Sequence, residues 1–217
     1  MLDWLAWGSA LGALAVVVRW WLRRVDQLGR RRAFPWISMV LLGAMTVGAS
    51  APGMLRSREE RRLDRAASAL VGIPVSVHCQ ALGSAALDGG TELGFVRYGA
   101  DGRLEHQTLI KRDQCQALAA YMRSDKRDPT PAEVGAVHVL AHESMHMRNI
   151  ADEALAECAA VQRDAELARL LGAPPAAARL VAVRYWRSSY PFMPAGYRSV
   201  GCRRGGRLDE HRPDPPW

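Results

Sequence analysis

The stretch Ala136–Gln162, AVHVLAHESMHMRNIADEALAECAAVQ, decides how the rest of the chain is interpreted. It contains His142, Glu143 and His146 in the order H-E-x-x-H. On a helix, residues i and i+4 lie one turn apart on the same face, so the two imidazoles can converge on one metal ion while the glutamate points to the adjacent side. The pattern predicts a helix that carries two metal ligands and a carboxylate beside them.

The residues around this stretch support a helix with defined ends. Thr130 to Glu133 has the form of a capping box with proline at the first helical position, which places both histidines in the last turns. Asn149 tolerates the left-handed conformation that ends a helix, and Asp152 is suited to cap the next one. We therefore expect a helix, a sharp turn and a second helix.

A catalytic zinc site needs a third protein ligand and leaves its fourth position to water. Three acids downstream of the motif compete for that role: Asp152, Glu153 and Glu157. On one straight helix Glu153 would lie about 10 Å beyond the histidines, so a break near Asn149 is required. Asp152 fits the spacing H-E-x-x-H-x-x-G-x-x-ligand, with asparagine in the place of glycine, and Glu157 fits a longer return path.

The run HESMHMRNIADEALAECAAVQ resembles a pattern shared by a group of uncharacterised membrane-anchored proteins of GC-rich bacteria, within the zincin-like metallopeptidases. In that pattern, H-E-x-x-H and a glycine-like turn precede E-A-x-x-x-C-x-A-x-Q. The segment Tyr197–Ser199 with Cys202, and the run Gly205–Asp209, are also similar. The glutamate before alanine matches Glu153, so the resemblance favours Glu153 as the third ligand, although Asn149 departs from the glycine.

The predicted chemistry is that of a membrane-anchored, zinc-dependent, metallopeptidase-like hydrolase. Glu143 would act as general base on a zinc-bound water, whose pKa the metal lowers toward roughly 7. Tyr197 and His138 are candidates for stabilising the oxyanion. His138 lies one turn before His142 but two turns from His146, so one ion cannot bind all three, and a supporting or core position suits it better.

Two alternatives stay open at this stage. Zinc could brace the fold of a catalytically silent cell-envelope protein with a binding or structural role. Alternatively, the chain could be a disulfide-stabilised protein without metal, in which His142 and His146 are buried or paired histidines. The sequence does not identify the peptide or protein substrate.

Two uncharged runs near the N-terminus, Trp4–Val18 and Phe34–Leu55, predict transmembrane helices. Counted out to Leu22, the first is long enough to cross a hydrocarbon layer of roughly 30 Å. The arginine-rich connection Arg23–Ala33 is then expected in the cytoplasm. This predicts a two-pass cell-membrane protein, with the lipid bilayer as a partner and the remaining domain outside the cytoplasm.

Charge and cysteine content narrow the class further. The net charge of +7 is concentrated in the arginine-rich connection, and no basic stripe with interleaved aromatics is present, so nucleic acid is not expected as a partner. An even number of cysteines after the second apolar run suits two disulfides in an oxidising compartment. Four cysteines allow three pairings, of which Cys79–Cys115 with Cys158–Cys202 is one.

The expected fold class is α+β: two N-terminal transmembrane helices, then a small zincin-like domain of about three antiparallel strands packed on helices. Alternation and turn residues predict the strands Ile73–Cys79, Leu93–Tyr98 and Arg103–Ile110. The predicted organisation is residues 1–56 as membrane helices, 57–72 as an amphipathic connector, 73–190 as the zincin-like domain and 191–217 as an irregular tail tied by Cys202. Helices are expected at Ser57–Val71, Asp113–Met122, from Thr130, at Asp152–Leu171 and at Ala176–Tyr190.

Overall fold

A computed structural model of the chain describes residues 2–23, 25, 33–81, 90 and 92–217. The chain divides into two units, Met1–Arg58 and Glu59–Trp217. The first unit contains helix α1, Leu2–Leu22, and the beginning of helix α2, Trp36–Val71. Within it the two helices are joined by a hydrogen bond of 2.8 Å between the hydroxyls of Ser9 and Thr46.

In the described part of the chain, no helix combines the length and the apolar character that crossing a bilayer requires. The predictions of two transmembrane helices and of a two-pass membrane protein are therefore wrong, and the extracytoplasmic placement of the domain, which depends on them, loses its support. The N-terminal runs are free of charge but rich in alanine and glycine, which contribute little transfer free energy, and α2 continues directly into arginines from Arg56. Residues 24 and 26–32 of the predicted cytoplasmic connection lie outside the described residues.

The second unit contains a sheet of three described strands: β1 (Ser76–Cys79), β2 (Gly94–Tyr98) and β3 (Leu104–Ile110). The strands lie where the sequence predicts them, but the sheet is mixed, with the order β1-β3-β2. β2 and β3 form an antiparallel hairpin, whereas β1 pairs parallel to β3. β1 and β2 therefore lie on opposite sides of β3 and run antiparallel to each other. The predicted all-antiparallel sheet is therefore wrong.

Helix α2 covers the outer edge of β1 with a series of side chains, which we call the α2 ladder. Three polar side chains spaced four residues apart on the helix accept backbone N–H groups spaced two residues apart on the extended chain. Four helical residues rise about 6.0 Å and two strand residues about 6.6 Å, so the two repeats match. The ladder consists of Glu60 with Cys79 N (2.9 Å), Asp64 with Val77 N (2.6 Å) and Ser68 with Val75 N (3.0 Å).

The remaining helices are α3 (Arg112–Arg123), α4 (Pro131–Met147), α5 (Glu153–Val161), α6 (Asp164–Leu170) and α7 (Pro175–Ser188). The Thr130 capping box is formed as predicted, with both reciprocal hydrogen bonds. From Ala136 to Met147, every residue of α4 is buried, and α4 packs between the sheet and helices α5 and α7. The motif helix therefore forms the centre of this unit.

The predicted single helix Asp152–Leu171 is divided into α5 and α6 by Gln162 and Arg163. Both side chains are buried and bind the C-terminal tail. The Gln162 amide donates to Leu208 O at 2.9 Å, and Arg163 pairs with the carboxylate of Glu210 at 2.5 Å. The same two side chains also donate to the carbonyl oxygens four residues back, Gln162 to Cys158 and Arg163 to Ala159, at 2.9 Å each. They therefore take acceptors that a continuous helix would use for its backbone N–H groups.

Two disulfides tie these elements together. Cys79–Cys115 joins β1 to α3, and Cys158–Cys202 joins α5 to the tail, so one of the three possible pairings is formed. Cys202 is the tail residue that forms the second of these bonds. The tail begins with two short 3-10 turns, Tyr190–Phe192 and Ala195–Tyr197.

Candidate metal centre

The chain reverses direction directly after the H-E-x-x-H helix. Asn149 has a φ of +67°, the left-handed conformation that ends α4. Asp152 then caps α5 by accepting the backbone N–H of Leu155 at 2.8 Å. Because this carboxylate is used as the cap, Asp152 is not among the residues at the site. The first helical residue, Glu153, faces back toward α4.

His142, His146 and Glu153 bring three potential ligand atoms together. The two Nε2 atoms are 2.9 Å apart, and Glu153 Oε2 lies 3.1 Å from His142 Nε2 and 3.3 Å from His146 Nε2. Tetrahedral zinc with bonds of about 2.0–2.2 Å holds its ligand atoms about 3.3–3.5 Å apart. These residues therefore fit a zinc ion with only a slight expansion of the triangle.

Hydrogen bonds on the far side of each ring set the orientation of the two imidazoles. His142 Nδ1 lies 3.0 Å from Glu157 Oε2, and His146 Nδ1 lies 2.7 Å from the carbonyl oxygen of Ile150. Both partners are acceptors, so they favour the proton on Nδ1 and leave the Nε2 lone pairs directed at the shared centre. Glu157, one of the three candidate ligands, thus supports His142 from behind.

Glu157 is also the centre of a buried hydrogen-bonded chain. His138 Nε2 lies 3.0 Å from the same Glu157 oxygen, and His138 Nδ1 lies 3.1 Å from Asp164. Tyr185 donates its hydroxyl to the other Glu157 oxygen at 2.8 Å and stacks on the His138 ring with centroids 3.5 Å apart. His138 occupies the supporting position that its spacing predicts. Asp164 and Tyr185 carry no sequence signal that links them to the motif.

The charged groups of this hydrogen-bonded network shift the pKa values of the histidines. Burial alone would lower the pKa of His138, but the carboxylates of Glu157 and Asp164 raise it to about 10. Burial likewise opposes the charge on His142, while its bonds to Glu153 and Glu157 raise its pKa to about 9. Burial and the neighbouring His142 lower the pKa of His146. In the metal-free state, His142 therefore carries a proton that a metal ion must displace.

His138, His142 and Glu157 form a second group within reach of one ion. Here the Glu157 oxygen already lies at hydrogen-bond distance from both rings, and Asp164 satisfies the remaining nitrogen of His138. The side chains of His138, His142, Glu157 and Asp164 are all buried, and they are joined by hydrogen bonds to one another without a metal ion. We therefore assign His138 and Glu157 the role of orienting His142, which belongs to the first group.

Glu143 lies beside the metal ligands with only 5% of its surface exposed. Its Oε2 atom has no hydrogen-bond partner among the described residues. Burial raises the pKa of this carboxyl to about 7, against the opposing charge of His142. A buried carboxylate oxygen without a protein partner, adjacent to a metal site, is suited to bind a water molecule.

Tyr197 is the tail residue that approaches the site. Its ring is partly buried, with its centroid 5.8 Å from that of His142. Burial and the nearby charges of Glu153 and Glu143 raise the pKa of its hydroxyl. Of the two oxyanion candidates, Tyr197 lies beside the ligands, whereas His138 is enclosed between Glu157 and Asp164.

No protein family model matches this chain, and neither curated proteins nor solved structures give a significant match. The functional assignment therefore depends on the chemistry of the site itself.

Proposed function

We propose that this protein is a zinc-dependent hydrolase that cleaves peptide bonds. His142, His146 and Glu153 would be the metal ligands and Glu143 the general base. The observation that carries the proposal is the convergence of three ligand atoms within 3.3 Å, in a site where acceptors behind both rings direct the Nε2 lone pairs inward. Ordinary core histidines do not require this arrangement.

The roles of the chain's own residues follow from their positions. Bound zinc supplies Lewis acidity and lowers the pKa of a coordinated water. Glu143 accepts the proton of the attacking water and returns it to the leaving nitrogen, for which a pKa of about 7 is well matched. Glu157 and Ile150 O hold the imidazoles in the binding tautomer. The Tyr197 hydroxyl is the candidate donor to a developing oxyanion.

The sheet supports a peptide as the substrate class. β2 pairs only with β3 among the described strands, so it is an edge strand, and it packs against α4 next to Glu143. An open strand edge presents backbone donors and acceptors that an extended peptide can pair with. A substrate lying along β2 would pass the base and the metal ligands.

The experiment measures zinc content and hydrolysis of a mixed fluorogenic peptide library by the full chain. His146→Ala and Glu153→Ala should lose bound zinc, whereas Glu143→Gln should retain it and lose at least about a hundredfold in hydrolysis. Ser144→Ala is the matched control, because this buried hydroxyl bonds only the carbonyl of Leu140 in its own helix, at 2.6 Å. It should retain both properties.

The outcomes separate the candidate functions. Zinc that is bound through His146 and Glu153 without any Glu143-dependent hydrolysis would favour a catalytically silent zinc protein. A chain that binds no zinc at neutral pH would overturn the metal site itself.

A further inference from the structure

Edge strand β2 approaches the proposed general base at a glycine. A Cβ atom built on Gly94 would lie 3.0 Å from Glu143 Cγ and 3.1 Å from Glu143 Oε1. It would also lie 3.0 Å from Ile110 Cδ1, on the neighbouring strand. These separations are well below the usual carbon contact of about 3.5–4.0 Å, so a side chain at this position requires a neighbour to move.

The surrounding structure limits which neighbour can move. Ile110 is fully buried, and it is the residue that pairs with Gly94 across the hairpin. The Thr108 hydroxyl donates to the carbonyl oxygen of Phe95 at 3.0 Å, which holds β2 to β3 one residue further along. A methyl group at Gly94 would therefore press on the Glu143 side chain as well as on Ile110.

We propose that Gly94 is a positioning residue, whose missing side chain lets the edge strand lie against Glu143 and fixes that carboxylate beside the metal ligands. This inference rests on the proposed function. It goes further by assigning the placement of the base to the sheet, because both Gly94 on β2 and the Thr108 side chain on β3 lie against the Glu143 side chain. Gly94 is not among the three candidate ligands, so its effect should be confined to chemistry that uses the base.

The test compares Gly94→Ala with Gly135→Ala in the full chain. Both variants add one methyl group, but a Cβ at Gly135, on α4, meets nothing within 4 Å. Three quantities are measured: zinc affinity, the affinity of the zinc-loaded protein for acetohydroxamate, and kcat and KM on the peptide library. Acetohydroxamate binds zinc and hydrogen-bonds the neighbouring base, so it reports the position of Glu143 without requiring a known substrate. Glu143→Gln serves as the reference for loss of that bond.

We expect Gly94→Ala to leave zinc affinity within about twofold of the unsubstituted protein. Acetohydroxamate affinity should fall about tenfold and kcat about tenfold to a hundredfold, with KM little changed, because a misplaced group costs rate more than binding. Gly135→Ala should change none of these. The double variant Gly94→Ala with Ile110→Val relieves the contact with the sheet and should keep the loss, since the contact with Glu143 remains.

Unchanged hydroxamate affinity and kcat in Gly94→Ala would overturn the inference while leaving the zinc site intact. Recovery in the double variant would also overturn it, because the effect would then arise from strain in the sheet. An unsubstituted protein that binds no zinc would instead overturn the proposed function, and the inference with it.

Discussion

The two edges of the small sheet, at β1 and at β2, differ in whether side chains of a helix satisfy their backbone groups. At the β1 edge, the α2 ladder satisfies the outward backbone N–H groups of three residues with side chains. At the β2 edge, no described strand or helix forms such a ladder, and the strand lies against the catalytic candidate Glu143 at Gly94. Exposed edges invite unwanted pairing. The difference shows that the backbone of one edge is satisfied by side chains of α2, whereas the other edge is the one on which the proposed function places a peptide.

The largest expected effect concerns the disulfide Cys79–Cys115, which lies at the end of strand β1. Replacing both Cys79 and Cys115 by alanine should lower the free energy of unfolding by about 3–4 kcal/mol, because their disulfide closes a loop with a sequence separation of 36. Denaturant unfolding of the oxidised protein measures this. Zinc content should be preserved, since neither cysteine is among the three candidate ligands. Loss of zinc together with stability would show that the two edges are not independent.

The next prediction tests one hydrogen bond of the α2 ladder, from Val77 N to Asp64. Asp64→Ala should cost about 1–3 kcal/mol, because it leaves the Val77 N–H without its partner at a buried strand. Glu59→Ala is the matched control one turn earlier on α2. It removes only a pair with Arg123 in which both side chains are substantially exposed, and it should cost less than about 1 kcal/mol. Equal losses of stability in the two variants would contradict the ladder.

A third prediction concerns the two buried histidines whose pKa values are raised, His138 and His142. His138 has its pKa raised to about 10 in the folded state, so its stabilisation is complete below about pH 6.5 and is lost as pH rises toward 10. His142, raised to about 9, contributes with the same sign. For the metal-free protein, the free energy of unfolding should fall across this window, by up to about 1.4 kcal/mol per pH unit for each proton released.

Urea unfolding at several pH values tests this pH dependence. His138→Gln should reduce the slope, because the first of the two raised groups is then absent, whereas Ser144→Ala should preserve it. A pH dependence that is identical in His138→Gln and in the unsubstituted protein would assign it to other groups.

The smallest expected effect involves neither edge. Gly135→Ala should raise the free energy of unfolding by about 0.5–1 kcal/mol, because alanine is favoured in a helix interior and the added methyl group meets no neighbour. Thermal unfolding of the metal-free protein measures it. A loss of stability would show that this part of α4 lies closer to its surroundings than the structure indicates.

The features that sequence reasoning could predict are those encoded by local spacing. The capping box at Thr130, the left-handed turn at Asn149 and the strand positions are written in adjacent residues. The structure also places Glu153 beside the two histidines, where the resemblance suggested a ligand. These features depend on periodicity and on backbone preference alone.

The features that sequence reasoning missed depend on distant contacts. The α2 ladder needs the matching repeats of a helix and a strand, and nothing in Glu60, Asp64 or Ser68 announces β1 as their partner. The parallel pairing of β1 and the break at Gln162 likewise involve tertiary bonds. The membrane prediction is wrong for another reason: the N-terminal runs lack charge, but their alanines and glycines make them insufficiently apolar. Tyr185 contacts Glu157 from α7, and the apolar spacing of that helix indicates only that one face is buried in the core.

The α2 ladder also determines where this unit can be cut. Residues Glu60–Ser68 act in place of a fourth strand, although they belong to a helix that begins at Trp36. A fragment that begins after Ser68 would retain every metal ligand and both disulfides, yet it would expose the N–H groups of β1. Such a fragment is expected to pair through this edge with the same edge of another copy and so to self-associate. The foldable boundary of the metal-site unit therefore lies inside a helix.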